Sequence, residues 1–178
     1  MLGKVVSLYG GPCTGKSTMA AMLYAELKRK NISVEYVNEY AKEMVYENNA
    51  TVLANQILVF ATQYHKLLTA CAHNDIVITD SPLLLSCIYN PDTSHNLWEL
   101  VVEMAGKFTS VDILLTRSEA TYSASGRIHS LTESISIDHR IRTLLDRLAI
   151  DYLEYDPVND ADKFQDVVSL ILDELYDG

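Results

Sequence analysis

The chain has 178 residues, 48% of them hydrophobic and 21% charged, with a formal net charge of −10. That balance predicts one globular domain spanning residues 1–178, with enough chain for a proper core. No apolar run approaches the ~18 residues of a membrane span, and no Lys/Arg run supplies the basic face that proteins gripping long nucleic acid usually carry.

The first apolar run, Lys4–Tyr9, predicts a strand rather than a signal sequence, which places the chain in the cytoplasm. It leads into Gly10-Gly11-Pro12-Cys13-Thr14-Gly15-Lys16-Ser17, which fits G-x-x-x-x-G-K-[ST]. A run of good helix formers from Lys16 to Lys30 follows, so the motif has the strand-loop-helix setting it needs. Glycines let successive N–H groups turn inward around phosphate oxygens at the positive end of the helix. Lys16 is expected to reach the β- and γ-phosphates and Ser17 to ligate Mg²⁺, with Thr18 behind them.

A second strand, Ser33–Asn38, ends at Glu39-Tyr40. Glu39 there is either a general base for an attacking hydroxyl or a favourable acid at a helix N-terminus. The segment Ala50–Ala72 predicts one long helix, with Leu53, Ile57, Phe60, Tyr64, Leu67 and Cys71 forming a core-facing stripe. Gln56 and Gln63 lie beside that stripe, where an amide can read a base or sugar. The third strand, Asp75–Asp80, ends in a carboxylate where P-loop proteins hold Mg²⁺ or handle the substrate. Ser81 follows it in place of the Glu that activates water in many ATP-driven motors, and N-K-x-D is absent, so transfer to a hydroxyl is favoured over hydrolysis.

Further elements are a helix at Asn96–Lys107, strands at Val111–Thr116 and Asp151–Tyr155, and helices at Ile137–Ala149 and Lys163–Leu175. Between the fourth strand and its helix, residues 117–140 carry Arg117, Arg127 and Arg140 among Ser and Thr residues, the makeup of a lid over a phosphoryl-transfer site. Cys13, Cys71 and Cys87 and the five histidines show no metal-ligand spacing. Alternating strands and helices predict an α/β fold, a parallel sheet covered on both faces, with ligands beyond the carboxyl ends of its strands.

Taken together, Gly10-Gly11 through Lys16-Ser17-Thr18, Glu39-Tyr40, Gln63-Tyr64, Ile76–Asp80, Gly126-Arg127 and Arg140 resemble a P-loop kinase family in their order along the chain. That family includes the ribosylnicotinamide kinase domain of the bacterial NAD-biosynthesis regulator and is grouped with AAA-type small ATPase domains. The resemblance implies a three-layer nucleotide-kinase fold, a five-stranded parallel sheet in the order 2-3-1-4-5, ATP and Mg²⁺, and a nucleoside-like acceptor phosphorylated on a hydroxyl. It implies that Lys16, Ser17 and Thr18 hold phosphate and Mg²⁺ and that Asp80 takes the carboxylate position at the third strand. The loop from Gly10 to Thr18 and Arg117 are the residues expected to bind the nucleotide, and Ser17 and Asp80 those expected to hold the metal. Arg127 and Arg140 become the lid arginines, while Glu39, Tyr40, Gln63 and Asp80 face the acceptor. Asp80-Ser81-Pro82 departs from the family's Asp-Thr, and Tyr122 is the nearest aromatic where a tryptophan is expected before Gly126-Arg127. Both departures fall on the acceptor side. A kinase acting on a polynucleotide 5′-hydroxyl or a hydroxymethylated base, and a nucleotide-dependent regulatory switch, are the alternative readings; the acidic charge disfavours the first.

Overall fold

The computed structural model describes residues 3–89, 95–117 and 131–176, so Tyr122, Gly126 and Arg127 lie outside the described residues. Five strands, β1 (Lys4–Tyr9), β2 (Val34–Val37), β3 (Ile76–Thr79), β4 (Ser110–Leu115) and β5 (Tyr152–Tyr155), form one sheet in the order β2-β3-β1-β4-β5. Every pairing is parallel. The expected sheet is therefore the one observed.

The central strands are apolar almost without interruption, as burial on both faces requires. All four residues of β3 are buried. One face is covered by α1 (Lys16–Arg29) and α8 (Phe164–Tyr176), where Leu23, Leu27, Val167 and Ile171 pack on Val6, Leu8, Ile78 and Ile113. The other face carries α4 (Gln56–Cys71), α6 (His95–Ala105) and α7 (Leu131–Arg147), with Leu67, Val101 and Ile141 against Val5, Tyr9 and Val77. Leu23 and Leu27 are wholly buried, each worth about 1.5–3 kcal/mol of transfer free energy. Among the described residues, no helix is long and apolar enough to cross a membrane.

Four stretches of the chain differ from the sequence expectations. The long helix expected over Ala50–Ala72 is broken into α3 (Ala50–Ala54) and α4, because Asn55 turns out of the helix and its side chain accepts from the Leu58 N–H at 3.1 Å. Asn49 caps α3 in the same way through the Val52 N–H. The apolar stripe consequently enters the core only from Phe60 onward, and Ile57 is 64% exposed.

A short helix, α2 (Tyr40–Tyr46), follows β2 where no element was expected, and a 3₁₀ turn at Leu83–Leu85 leads into α5 (Ser86–Tyr89). Helix α7 begins at Leu131, before the expected Ile137. Its stripe runs from Ser134 through Ile137 and Ile141 to Leu144, and Ser134, a residue of loop-like composition, is wholly buried within it. Arg140 thus projects from a regular helix.

Candidate active site

Parallel strands bring their carboxyl ends to one edge of the sheet. Here that edge collects the loop after β1, Glu39 after β2, Asp80 after β3 and Arg117 after β4. Gly15 stands at φ +90° immediately before α1, a left-handed conformation that strains any side chain. It offers no side-chain cap to the helix, so the first-turn N–H groups remain available to an anion. Inside the loop, the Thr14 hydroxyl donates to the Gly11 carbonyl at 3.1 Å. Lys16 Nζ donates to the carbonyls of Gly10 at 2.7 Å and Gly11 at 2.8 Å. Loss of water lowers the Lys16 pKa, and the carboxylates of Glu39, Asp80 and Asp138 oppose that shift.

The outer wall of the loop is braced from β4 and α7. Arg117, its side chain only 8% exposed, donates through Nη2 to the Pro12 carbonyl at 2.6 Å and pairs through Nε with Asp138 Oδ2 at 3.2 Å. Asp138 Oδ1 accepts the Gly11 N–H at 2.7 Å. A Cβ on Gly11 would stand 2.4 Å from that oxygen, so the approach needs a glycine. Asp138 was not among the residues singled out from the sequence. The only signal for it was a carboxylate beside the apolar stripe of α7.

Asp80 is buried, at 3% exposure, and among the described residues it is bonded on one oxygen only. Ser17 Oγ donates to its Oδ2 at 2.6 Å and the Tyr36 hydroxyl donates to the same oxygen at 2.8 Å. Oδ1 is buried with no partner among the described residues. Burial and the bond to Asp80 push the Tyr36 hydroxyl well above the ordinary tyrosine pKa. Tyr36, like Asp138, escaped the sequence reading, since a tyrosine in mid-strand reads as packing.

Among the described residues, no group of three or more His, Cys, Asp or Glu side chains is arranged for a metal ion. Magnesium does not need one: it is commonly held by one or two protein oxygens, with phosphate and water completing its shell. The orphaned Asp80 Oδ1 beside the Ser17 hydroxyl fits that kind of site, and the uncapped N-terminus of α1 fits a polyphosphate.

The remaining predicted residues lie on the β2 side. Glu39 occupies the position before α2, yet its side chain makes no cap bond to that helix. Burial raises its pKa, Lys16 lowers it and Asp80 raises it, so its carboxyl shares one electrostatic environment with the loop lysine and the strand-end aspartate. Gln63 is buried at 4% exposure: its Oε1 accepts the Tyr40 N–H at 3.1 Å and its Nε2 donates to the Asn38 carbonyl at 3.4 Å. Its amide thus holds the chain on both sides of Glu39. Lys66 supports the same turn, reaching Asn38 Oδ1 at 2.9 Å and Glu43 at 2.7 Å.

Tyr89, pushed up to about 12 by burial and then by Glu39 and Asp138, closes this side, with the Arg140 charge opposing. Arg140 itself donates to the Ile88 carbonyl. Thr18 is exposed on the first turn of α1.

A five-stranded parallel sheet of this order, with this loop at the end of its central strand, defines the P-loop nucleotide-kinase fold. A family model described as an AAA domain matches residues 5–162, and the chain belongs to that family. None of the curated proteins compared with this chain matches it. Among solved structures, the crystal structure of the NadR protein in complex with NR superposes with a TM-score of 0.72 at 16% identity over 96% of this chain. The chain spans about half of that NadR chain, 51% of it. The thymidylate kinase from Ehrlichia chaffeensis superposes with a TM-score of 0.64 at 11% identity, covering 96% of this chain and 99% of that one.

Proposed function

We propose that the protein is an ATP- and Mg²⁺-dependent phosphotransferase that phosphorylates a hydroxyl of a nucleoside- or nucleotide-like acceptor. The observation that carries the reading is the placement of Glu39. Its half-buried carboxyl is free of any hydrogen bond among the described residues and is coupled to both Lys16 and Asp80. The two strand-end carboxylates are therefore not equivalent. Asp80 Oδ2 is already committed to Ser17 and Tyr36, which suits a metal-holding role. Glu39 is uncommitted, which suits a proton acceptor.

In this reading, the N–H groups of the loop and Lys16 bind the phosphates, and Ser17 with Asp80 would hold Mg²⁺, which would supply charge neutralisation for the transferring phosphate. Glu39 takes the acceptor's hydroxyl proton as the hydroxyl oxygen bonds to the terminal phosphorus. The bridging P–O bond breaks, and its electron pair leaves on the nucleoside diphosphate. Arg117 steadies the loop, and Gln63 and Tyr40 set the turn that carries Glu39. Arg140 and Arg127, the latter outside the described residues, are assigned to close over the transferring group. The likeness to NadR and to a thymidylate kinase supports an acceptor of nucleoside or nucleotide size.

The test is transfer of label from ATP with Mg²⁺ to a panel of acceptors. The panel holds nicotinamide riboside, ribo- and deoxynucleosides, nucleoside monophosphates, a 5′-hydroxyl oligonucleotide and hydroxymethyl-base DNA. Label on a small acceptor, abolished in Lys16→Ala, is expected. Release of free phosphate that no acceptor stimulates would overturn the transferase reading.

A further inference from the structure

A second cavity lies in the layer between the sheet and helices α4, α6 and α7, and none of the residues assigned above lines it. Its volume is about 260 Å³. The walls are apolar, formed by Leu67, Leu83, Val102, Phe108, Leu148 and Ile150 among others. The floor is polar: Ser7 and Tyr9 of β1 and Ser110 and Asp112 of β4 face it from neighbouring strands.

The position sets it apart from the phosphate loop. Gly106 and Ser110, the exposed residues of the lining, lie before and at the start of β4. Ser110 pairs in register with Val5 near the start of β1, whereas the phosphate loop follows the other end of that strand. The cavity therefore opens at the edge of the sheet opposite the candidate active site.

Asp112 is the unusual group in it. Ser110 Oγ donates to its Oδ2 at 2.7 Å, and the Tyr9 and Ser7 hydroxyls line the same floor from β1. Among the described residues no lysine, arginine or histidine forms an ion pair with it. Burial raises its pKa and the three hydroxyls only partly offset that. Asp112 is half-buried, so its carboxylate loses part of its hydration with no cation beside it. Two carboxylate oxygens offer about four acceptor positions, so the Ser110 hydroxyl leaves room for a further donor. Charge-assisted bonds are the strong ones, and the vacant chemical role here is that of a cation. The walls fix the rest: a volume just below the ~300 Å³ at which drug-sized ligand pockets begin suits a body of about one ring.

We propose that this cavity is a second ligand site, taking a small cationic amphiphile: a single-ring or branched aliphatic body with one amidinium or protonated amine seated on Asp112. The ammonium or amidinium supplies the charge that Asp112 lacks, and the body covers the apolar walls. The site does not depend on the phosphotransferase reading, since it shares no residue with it.

The experiment is calorimetric titration of the full chain with benzamidine, using benzamide as the neutral isostere, in wild type, Asp112→Asn and Val102→Phe. Thermal melts serve as the check on folding. Saturable benzamidine binding is expected in wild type, with benzamide weaker. Asp112→Asn is expected to weaken benzamidine by about tenfold or more while leaving benzamide unchanged, because only the charge-assisted bond is lost. Val102→Phe fills the cavity from its wall and is expected to abolish both.

Absence of saturable binding overturns the proposal. So does equal benzamidine affinity in wild type and Asp112→Asn, or displacement of benzamidine by ATP. Should Asp112→Asn fail to fold, Val102→Phe decides alone, and benzamidine binding retained in it overturns the proposal.

Discussion

The carboxylate of Asp138, on α7, accepts the backbone N–H of Gly11 in the phosphate loop at 2.7 Å, across 127 residues of sequence. The same carboxylate pairs with Arg117, which also clamps the Pro12 carbonyl, so a helix and a strand end together hold the outer wall of the loop. Asp138→Ala is expected to weaken ATP binding by about tenfold or more, the scale of one hydrogen bond to a charged group. Asp138→Asn keeps an acceptor for Gly11 and loses only the pairing with Arg117, so its loss is expected to be smaller. Titration with a fluorescent ATP analogue measures both; unchanged affinity in Asp138→Ala would show that the loop holds its shape without the brace.

Asp80 and Ser17 make a different kind of contact, one in which the hydroxyl donates to Oδ2 and the other oxygen stays open. Asp80→Asn is expected to lower turnover by about 10²-fold, the usual effect of removing one preorganised electrostatic group. It is also expected to raise the Mg²⁺ concentration needed for half-maximal rate. A magnesium titration unchanged from wild type would remove Asp80 from the metal site.

Glu39 carries the pH dependence. Its folded pKa is raised above the ordinary glutamate value, first by burial. A base must be ionised to work, so the acid limb of the rate profile is expected above the usual carboxylate range, and Glu39→Gln is expected to remove most turnover. The sign for stability is the reverse of a salt-bridged acid. The folded state favours the protonated form, so ionisation costs stability as pH rises from the ordinary glutamate range through the raised value. Glu39→Gln is accordingly expected to be more stable than wild type at neutral pH and to lose that advantage in acid. Urea melts at two pH values check this; a constant difference between them would contradict it.

Gln63 tests the acceptor side. Its amide satisfies the Tyr40 N–H and the Asn38 carbonyl on either side of Glu39. Gln63→Ala is expected to cost about 1–3 kcal/mol, the price of leaving buried polar groups unmet. It is expected to raise KM for the acceptor while leaving KM for ATP near its wild-type value, because the turn it holds belongs to the β2 side. Equal changes in the two constants would indicate a general loss of packing instead.

Much of this was legible in the residues. The strands are short runs with turn signals at their ends, and all five appear within a residue or two of their expected bounds. Helix limits were less legible where polar residues carried the signal. Asn55 ends one helix and starts the next by competing for backbone N–H groups, while the buried Ser134 sits within a helix despite its loop-like composition. Gln63 was expected to read a base or sugar, whereas its amide is buried against the backbone on either side of Glu39, at the start of α2, an element with too few residues to show a period.

The sequence by itself determined the loop from Gly10 to Thr18 and the strand-loop-helix unit around it, because a phosphate nest is built from consecutive backbone groups and needs only its neighbours. It likewise determined the alternation of strands and helices, since period and turn chemistry are local. Tertiary structure alone decided which side chains meet: Ser17 and Tyr36 on one oxygen of Asp80, Asp138 against Gly11, and Arg117 against Asp138. Those encounters depend on strand register and on helices packing across the sheet, and a carboxylate has no local pattern to announce the neighbour it will find there.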